Sequence, residues 1–180
     1  MNKNLVYTSI LLLVGFALFS KKRIIYQTIL KKYGDIKARK FKEVEAAVNS
    51  LPISKKAKSF VMAQILVETG FFSSKAKVYD LNTNASGIFY TGSAAQIANG
   101  ATKGTPRPAN EGGNYAKFNN LNDWVKEYYR VLNRGSMPLN ANNIIDFGAR
   151  LKQNNYFTDT LAKYQNNLNF FYNFLINNGF

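Results

Sequence analysis

The chain has 180 residues, enough for one globular domain with a buried core, and a net charge of +14. It contains neither cysteine nor histidine, which excludes disulfides, a thiolate nucleophile, imidazole-based proton transfer and a zinc site built from these ligands. Acid and base chemistry must therefore come from the ten Asp and Glu residues, or less readily from Tyr or Lys. Because these acids are too scattered for a calcium loop, the sequence predicts no metal and no cofactor.

Residues 4–20 form an uncharged segment rich in Leu, Val, Ile and Phe, followed by the basic cluster KKR. Its 17 residues reach the lower end of the roughly 17 to 25 that a helix needs to cross a bilayer. A cleaved signal peptide is the alternative, but Phe19 stands where a cleavage site requires a small residue. We therefore predict that residues 1–23 are a single-pass transmembrane anchor, in contact with the lipid bilayer through residues 4–20.

The positive charge is concentrated after this anchor. Residues 21–58 hold twelve Lys and Arg against three acids, whereas residues 59–180 hold eleven against seven. We predict that residues 24–53 form a basic helical stalk or linker, interrupted near Gly34, and that residues 54–180 form the folded domain. Such a stalk favours contact with anionic lipid, nucleic acid or an acidic wall polymer, and a solvated basic helix is the alternative.

The first element of the predicted domain is a helix over residues 55–69, capped by Ser54 and followed by Gly70. One face of this helix is apolar except for a carboxylate: Ala57, Val61, Ile65 and Glu68. An apolar surrounding and the carboxy-terminal end of the helix dipole both favour the protonated form of Glu68. A carboxyl group kept protonated near neutral pH is the general acid of a glycosidase. The alternative is a glutamate that turns into solvent at a frayed helix end.

Residues 80–114 are rich in turn formers and contain one short apolar piece, GIFY. We predict a hairpin of two short strands here, GIFYTG at residues 87–92 and NYAKF at residues 114–118. The loop that joins them is long, and long loops in compact domains are more often functional than not.

Three helices are predicted after the hairpin. The first is capped by Asn122 and stopped by Gly135, the second runs from Asn143 to Lys152, and the third from about Thr158 to Asn177. The apolar stripe of the last helix predicts core packing; it comprises Leu161, Tyr164, Leu168, Phe171 and Leu175.

Four segments, AQILVETGFFSS, NASGIF, NYAKFNNLNDWVKEYY and LKQNNYFTDTL, resemble in order and spacing the family 73 glycoside hydrolases, glucosaminidases of bacteria and phages that cut peptidoglycan. The resemblance covers about residues 55–165. Residue by residue it rests on Ala63, Gln64, Glu68, Thr69 and Gly70, and on Asn84, Gly87 and Ile88. It implies a mainly α, lysozyme-like fold with a small β-hairpin and a cleft between that hairpin and the helix ending at Glu68.

The resemblance also implies site residues, with Glu68 as the general acid. Glu111 is the candidate second catalytic group, and the alternatives are Asp80 or the acetamido oxygen of the substrate. Predicted substrate-binding residues are Gln64, Asn84, Tyr90, Tyr115 and Tyr156; for each tyrosine the alternative is hairpin or core packing, the usual role of this residue. The chain departs from the family pattern at Ser86, Phe89 and Arg150.

The predicted function is that of a membrane-anchored peptidoglycan hydrolase acting on the N-acetylglucosaminyl linkage of the glycan strand. A muramidase or lytic transglycosylase on the same fold is one alternative, and a non-catalytic structural or wall-binding protein is another. The basic cluster after the apolar segment predicts a domain that is retained in the cytoplasm. That orientation suits a phage with a lipid membrane, which would carry the protein in its virion; a bacterial envelope enzyme is the alternative.

Overall fold

The computed structural model describes residues 24–73 and 77–180, so the predicted anchor at residues 4–20 lies outside it. Within those ranges the protein is mainly helical with one two-stranded antiparallel sheet, as predicted. None of the helices described is both long and apolar enough to cross a membrane. The main elements are α1 (residues 24–33), α2 (Asp35–Asn49), α3 (Lys55–Glu68), α4 (Lys77–Asn82), α5 (Ala94–Ala98), β1 (Thr102–Pro106), β2 (Asn114–Lys117), α6 (Leu121–Leu132), α7 (Ile144–Gln153) and α8 (Leu161–Asn177).

Helices α1 and α2 belong to the domain and do not form a separate stalk. Ile25 and Ile29 of α1 and Phe41 and Val44 of α2 are all at most 2% exposed and join the same hydrophobic core as α3 and α6. Helix α2 packs directly against α3 and α6. The predicted domain boundary at residue 54 is therefore corrected, because the apolar face of the basic segment is buried. The predicted interruption is confirmed at Gly34, whose φ of +86° separates the two helices.

Helix α3 is the central element. Its amino terminus is capped as predicted, since the Ser54 hydroxyl accepts a hydrogen bond from the Ala57 amide at 3.1 Å. Its first turn is exposed at Lys55 and Lys56, but all residues from 59 to 66 are buried, so this stretch of α3 has no solvent face. A stretch of helix that is buried on every side lies in the interior of a fold. Helix α8 packs along α3, and α7 packs on α8.

The hairpin differs from the predicted one in its first strand. Strand β2 lies where it was predicted, but its partner is β1, in the segment predicted to be a loop. The GIFYTG segment contributes only an isolated bridge between Phe89 and Tyr115 on the other edge of β2. Gly87 and Gly92, both at φ +66°, bend the chain at either end of that segment, so it stays too short for a strand.

The last three helices are confirmed with shifted ends. The side chain of Asn120, and not that of Asn122, accepts the Asp123 amide and caps α6. Helix α6 ends at Leu132, before the predicted stop at Gly135. Helix α8 begins at Leu161 because the Thr160 hydroxyl caps it.

Candidate functional site

The carboxy-terminal end of α3 is fixed by a left-handed turn. Gly70, Phe71 and Phe72 have φ values of +51°, +56° and +53°, a region that residues other than glycine rarely adopt. The Thr69 hydroxyl holds this turn: it donates to a carbonyl one turn back in α3 at 2.7 Å and accepts from the Phe72 amide at 3.1 Å. Both phenylalanine rings are buried. Helix α3 therefore stops abruptly at Glu68, and Thr69 joins it to this turn.

Glu68 lies at a cavity of about 350 Å³. The walls come from five parts of the chain: the end of α3, Val78 and Tyr79 of α4, the 84–89 segment, the hairpin, and the loop that leads into α8 together with the first turns of that helix. This volume falls in the range of roughly 300 to 1,000 Å³ that small-ligand sites occupy. The cavity lies between α3 and the hairpin, where the sequence predicted a cleft.

The Glu68 carboxyl group is held by a tyrosine from a distant helix. The hydroxyl of Tyr164 in α8 donates to Oε1 of Glu68 at 2.6 Å. The Phe157 ring stacks on the Tyr164 ring at 3.7 Å with an interplanar angle of 9°, which fixes the phenol. On the other side the backbone of Gly87 lies next to the carboxyl: a Cβ at that position would lie 3.8 Å from Oε2. Glu68 thus faces the cavity and does not extend into bulk solvent as the alternative held.

Burial raises the pKa of Glu68 from its ordinary value of 4.5 to about 7, against the hydrogen bond from Tyr164, which lowers it. The direction agrees with the prediction from the apolar helix face. A carboxyl group with this pKa still holds its proton in a large fraction of molecules at neutral pH, and it can release that proton to a bound ligand.

The raised pKa of Glu68 makes the stability of the protein depend on pH. The folded state holds the proton more tightly than the unfolded chain, so stability is highest below the unfolded pKa of 4.5 and falls as pH rises towards 7. The pKa difference corresponds to about 3 kcal/mol. We expect Glu68→Gln to abolish this loss: relative to the unmodified protein, the variant gains about 3 kcal/mol in free energy of unfolding between pH 4 and pH 8. If the free energies of unfolding of the two proteins change by the same amount between pH 4 and pH 8, the raised pKa does not belong to Glu68.

Two further tyrosines lie within electrostatic reach of Glu68. The Tyr156 hydroxyl donates to the Ser86 carbonyl at 2.6 Å, and burial and the charge on Glu68 hold the pKa of Tyr156 well above its usual range. The Tyr128 hydroxyl donates to the Gln64 side chain, and burial likewise raises the pKa of Tyr128. Both phenols therefore stay protonated and act as neutral hydrogen-bond groups.

Ser86, one of the departures from the family pattern, is built into this wall. Its hydroxyl accepts a hydrogen bond from Nε1 of Trp124 at 2.9 Å, and the whole residue is buried. The indole nitrogen of a buried tryptophan needs such a partner. A large apolar side chain at position 86 could not accept this hydrogen bond, so the serine satisfies the buried indole of Trp124.

The hairpin wall carries a charged pair above an aromatic ring. Nη2 of Arg107 contacts Oε2 of Glu111 at 2.6 Å, and the guanidinium carbon lies 3.3 Å from the centre of the Phe89 ring. Both charged residues line the cavity, as does Tyr115. Burial raises the pKa of Tyr115, and the charge on Glu111 raises it further. Glu111 therefore reaches the cavity as predicted, while its catalytic role stays a prediction.

Two other predicted site residues, Gln64 and Asn84, form hydrogen bonds within the fold. Gln64 is 0% exposed, bonds to Tyr128 and does not line the cavity. Asn84 reaches the cavity wall, but its amide is bonded to the backbone of Ile88 and Ala116 at 2.8 to 3.0 Å, where it ties the 84–88 turn to β2. The Asn84 amide is thus fully bonded within the fold, whereas Nε2 of Gln64 is buried without a hydrogen-bond partner among the described residues and lies outside the cavity lining.

Tyr90 and Asp80 also lie away from the cavity. Tyr90 packs against the core beside Gly92, and the carboxylate of Asp80 forms an ion pair with Lys40 on α2. Neither residue lines the cavity, so both are corrected as candidates. Arg150, a departure from the family pattern, contacts Asp146 and the Ser136 carbonyl, also outside the cavity.

Tyr164 contacts Glu68 although its sequence position did not predict a site role. It was predicted to pack in the core as part of the α8 stripe, and its ring is indeed buried. The stripe could have identified it, because a phenol among leucines needs a polar partner when it is buried. The partner itself is 96 positions away in the chain.

Comparisons with family models, curated proteins and solved structures find no match to this chain. The link to family 73 thus stays a prediction from the motifs at residues 63–70 and 84–88. Among residues 24–73 and 77–180, no group of three or more acidic side chains is arranged to hold a metal ion.

Proposed function

We propose that this protein is a peptidoglycan hydrolase with a lysozyme-like fold, in which Glu68 is the general acid that cleaves the N-acetylglucosaminyl linkage of the glycan strand. The observation that carries the proposal is the Glu68 carboxyl group, whose pKa of about 7 is combined with access to a cavity of about 350 Å³. The order of the motifs around this cavity, which resembles that of family 73, supports the same assignment.

The chemistry assigns one proton transfer to Glu68. As the bond between the anomeric carbon and the bridging oxygen breaks, Glu68 gives its proton to that oxygen, and the leaving sugar departs as an alcohol. Water then adds to the anomeric carbon and loses a proton to a carboxylate. Tyr164 keeps Oε1 of Glu68 oriented, which leaves Oε2, next to Gly87, as the oxygen for the substrate.

The second group is Glu111 or the acetamido oxygen of the substrate. Glu111 lines the cavity, and its carboxylate, paired with Arg107, can stabilise positive charge at the anomeric carbon or accept a proton from water. The variant Glu111→Gln separates these routes, since it removes the carboxylate and leaves the substrate acetamido group in place. Retained activity assigns the acetamido route, and lost activity with intact folding assigns Glu111.

Aromatic side chains supply the walls for a sugar. Phe157, Tyr115 and Tyr156 line the cavity, and aromatic faces pack against the C–H groups of pyranose rings. Tyr115 and Tyr156 thus keep their predicted substrate-binding roles as part of this proposal.

The proposed setting is a membrane, with residues 4–20 as a transmembrane anchor. The basic residues of α1 and α2 then lie at the bilayer surface, where anionic lipid or packaged nucleic acid attracts them. Exposed cations such as Lys31, Lys32 and Lys42 support this placement. Detection in purified virions of a lipid-containing phage would assign the protein to the virion, whereas protease access from outside intact spheroplasts would assign it to the bacterial envelope.

Product analysis tests the proposed reaction. Purified peptidoglycan is incubated with the full chain in detergent, and the fragments are reduced and identified by mass spectrometry. A glucosaminidase leaves N-acetylglucosamine at the new reducing end, a muramidase leaves N-acetylmuramic acid, and a lytic transglycosylase leaves an anhydro sugar. Fragments of the first kind support the proposal, and an unchanged wall supports the non-catalytic alternative.

The Tyr164 hydrogen bond gives a second test of the acid. Because this bond lowers the pKa of Glu68, Tyr164→Phe raises that pKa further. We expect the upper pH limit of activity to move up by about one pH unit and kcat to fall about tenfold as the acid loses its orientation. The matched control is Tyr172→Phe, on the same helix but packed against Phe60 and outside the cavity. If the pH profile of activity shifts equally in both variants, the proposed role of Tyr164 is contradicted.

A further inference from the structure

A second cavity lies beside the first. It has a volume of about 140 Å³ and shares Gly87, Phe89, Asn155 and Tyr156 with the Glu68 cavity, so these residues form a partition between the two. Its remaining walls come from the 88–96 segment, from Asn154, and from α6 and the residues after it, with Arg130 and Arg134 among them. The function proposed above does not use this cavity.

The one carboxylate in this second cavity is already neutralised. Glu127 is 0% exposed, and Arg130 donates to it from Nε at 2.8 Å and from Nη2 at 2.6 Å. Asn99 donates a further hydrogen bond to Oε2 at 2.9 Å. A bidentate arginine with an additional amide donor satisfies a buried carboxylate. Glu127 and Arg130 therefore contribute no net charge to the cavity.

Among the described residues, the guanidinium of Arg134 is an unpaired positive charge at the wall of the second cavity. Its side chain is exposed at the cavity wall, and its guanidinium forms no ion pair or hydrogen bond within the described parts of the chain. It lies within electrostatic reach of Tyr156 in the partition, where its charge lowers the pKa of that phenol. A planar guanidinium matches a carboxylate in a two-point contact.

We infer that the second cavity binds a carboxylate of the stem peptide of the substrate, with Arg134 as its partner, while the glycan strand occupies the Glu68 cavity. This inference rests on the proposed function. Peptidoglycan carries its peptides on alternate sugars of the strand, and those peptides carry free carboxylates. A sugar at Glu68 therefore has a peptide on a neighbouring sugar, and the second cavity lies on the other side of the four shared wall residues from the Glu68 cavity.

The test measures binding without turnover. The full chain carrying Glu68→Gln, in detergent, is titrated by calorimetry with a soluble disaccharide-peptide from the cell wall, and with the same compound after its carboxylates are converted to amides. We expect amidation to weaken binding about tenfold, the effect of losing one charge-assisted contact. Adding Arg134→Gln should weaken binding of the unmodified compound by the same factor and abolish the effect of amidation.

The charge-matched control is Lys103→Gln, an exposed cation on β1 that lines neither cavity. This change should leave the tenfold effect of amidation in place. Equal binding of the two compounds to the Glu68→Gln protein would overturn the inference alone and leave the hydrolase proposal standing. An equal loss in the Lys103 and Arg134 variants would also overturn it, since general charge would then explain the effect. Failure of both compounds to bind would overturn the proposed function together with the inference.

Discussion

Glu68→Gln reduces hydrolysis of purified cell walls by at least about 10³-fold in kcat, because the glutamine amide has no proton to give to the bridging oxygen. The fold is expected to survive. The amide oxygen can still accept the hydrogen bond from Tyr164, and a neutral side chain removes the energetic cost of an ionised one at the cavity. The measurement is the release of reducing sugar from peptidoglycan over time, with far-UV circular dichroism to verify folding.

The matched control is Asp35→Asn, which neutralises an exposed carboxylate in the first turn of α2, outside the cavity. Its activity should remain within about twofold of the unmodified protein. Unchanged wall hydrolysis by the Glu68 variant would end the catalytic proposal and leave the non-catalytic alternative. The pH profile adds an independent observation, since activity that needs protonated Glu68 declines as pH rises through about 7.

The second large effect is expected in α2. Phe41→Ala lowers the free energy of unfolding by about 3 to 5 kcal/mol, the cost of removing a phenylalanine from a packed core. Phe41 is 1% exposed, and its ring lies 6.3 Å from that of Phe180 in an edge-to-face arrangement. Urea titration with fluorescence of Trp124, the single tryptophan and fully buried, reports the unfolding of the core around α6.

Ile36→Ala on the same helix is the control, because Ile36 is 61% exposed and should change stability by less than about 0.5 kcal/mol. If α2 were an independent stalk, Phe41→Ala would leave the Trp124 transition unchanged. Such a result would restore the domain boundary at residue 54 that the sequence suggested.

Local features of the site could be predicted from neighbouring residues. Ser54 caps α3, Gly70 follows its end, and the apolar positions before Glu68 recur at helical spacing. Each of these depends on hydrogen bonds or turns that span only a few residues. The pairing partner of β2 was predicted wrongly, because GIFYTG is richer in strand-forming residues than the polar segment TKGTP, which forms the actual partner strand. The strand propensity of a residue reflects how its side chain packs more than a preference of the backbone.

The sequence by itself thus determined that Glu68 lies near the end of a helix, on a face that is otherwise apolar, where the protonated form is favoured. Only the tertiary structure decided which groups meet it. The Tyr164 hydroxyl comes from 96 positions away, and Arg107 and Glu111 reach the same cavity from the tip of the hairpin. It also decided that α2 is part of the core. Contacts of this kind arise from the packing of whole elements against one another, and a pattern within one element does not specify its partner.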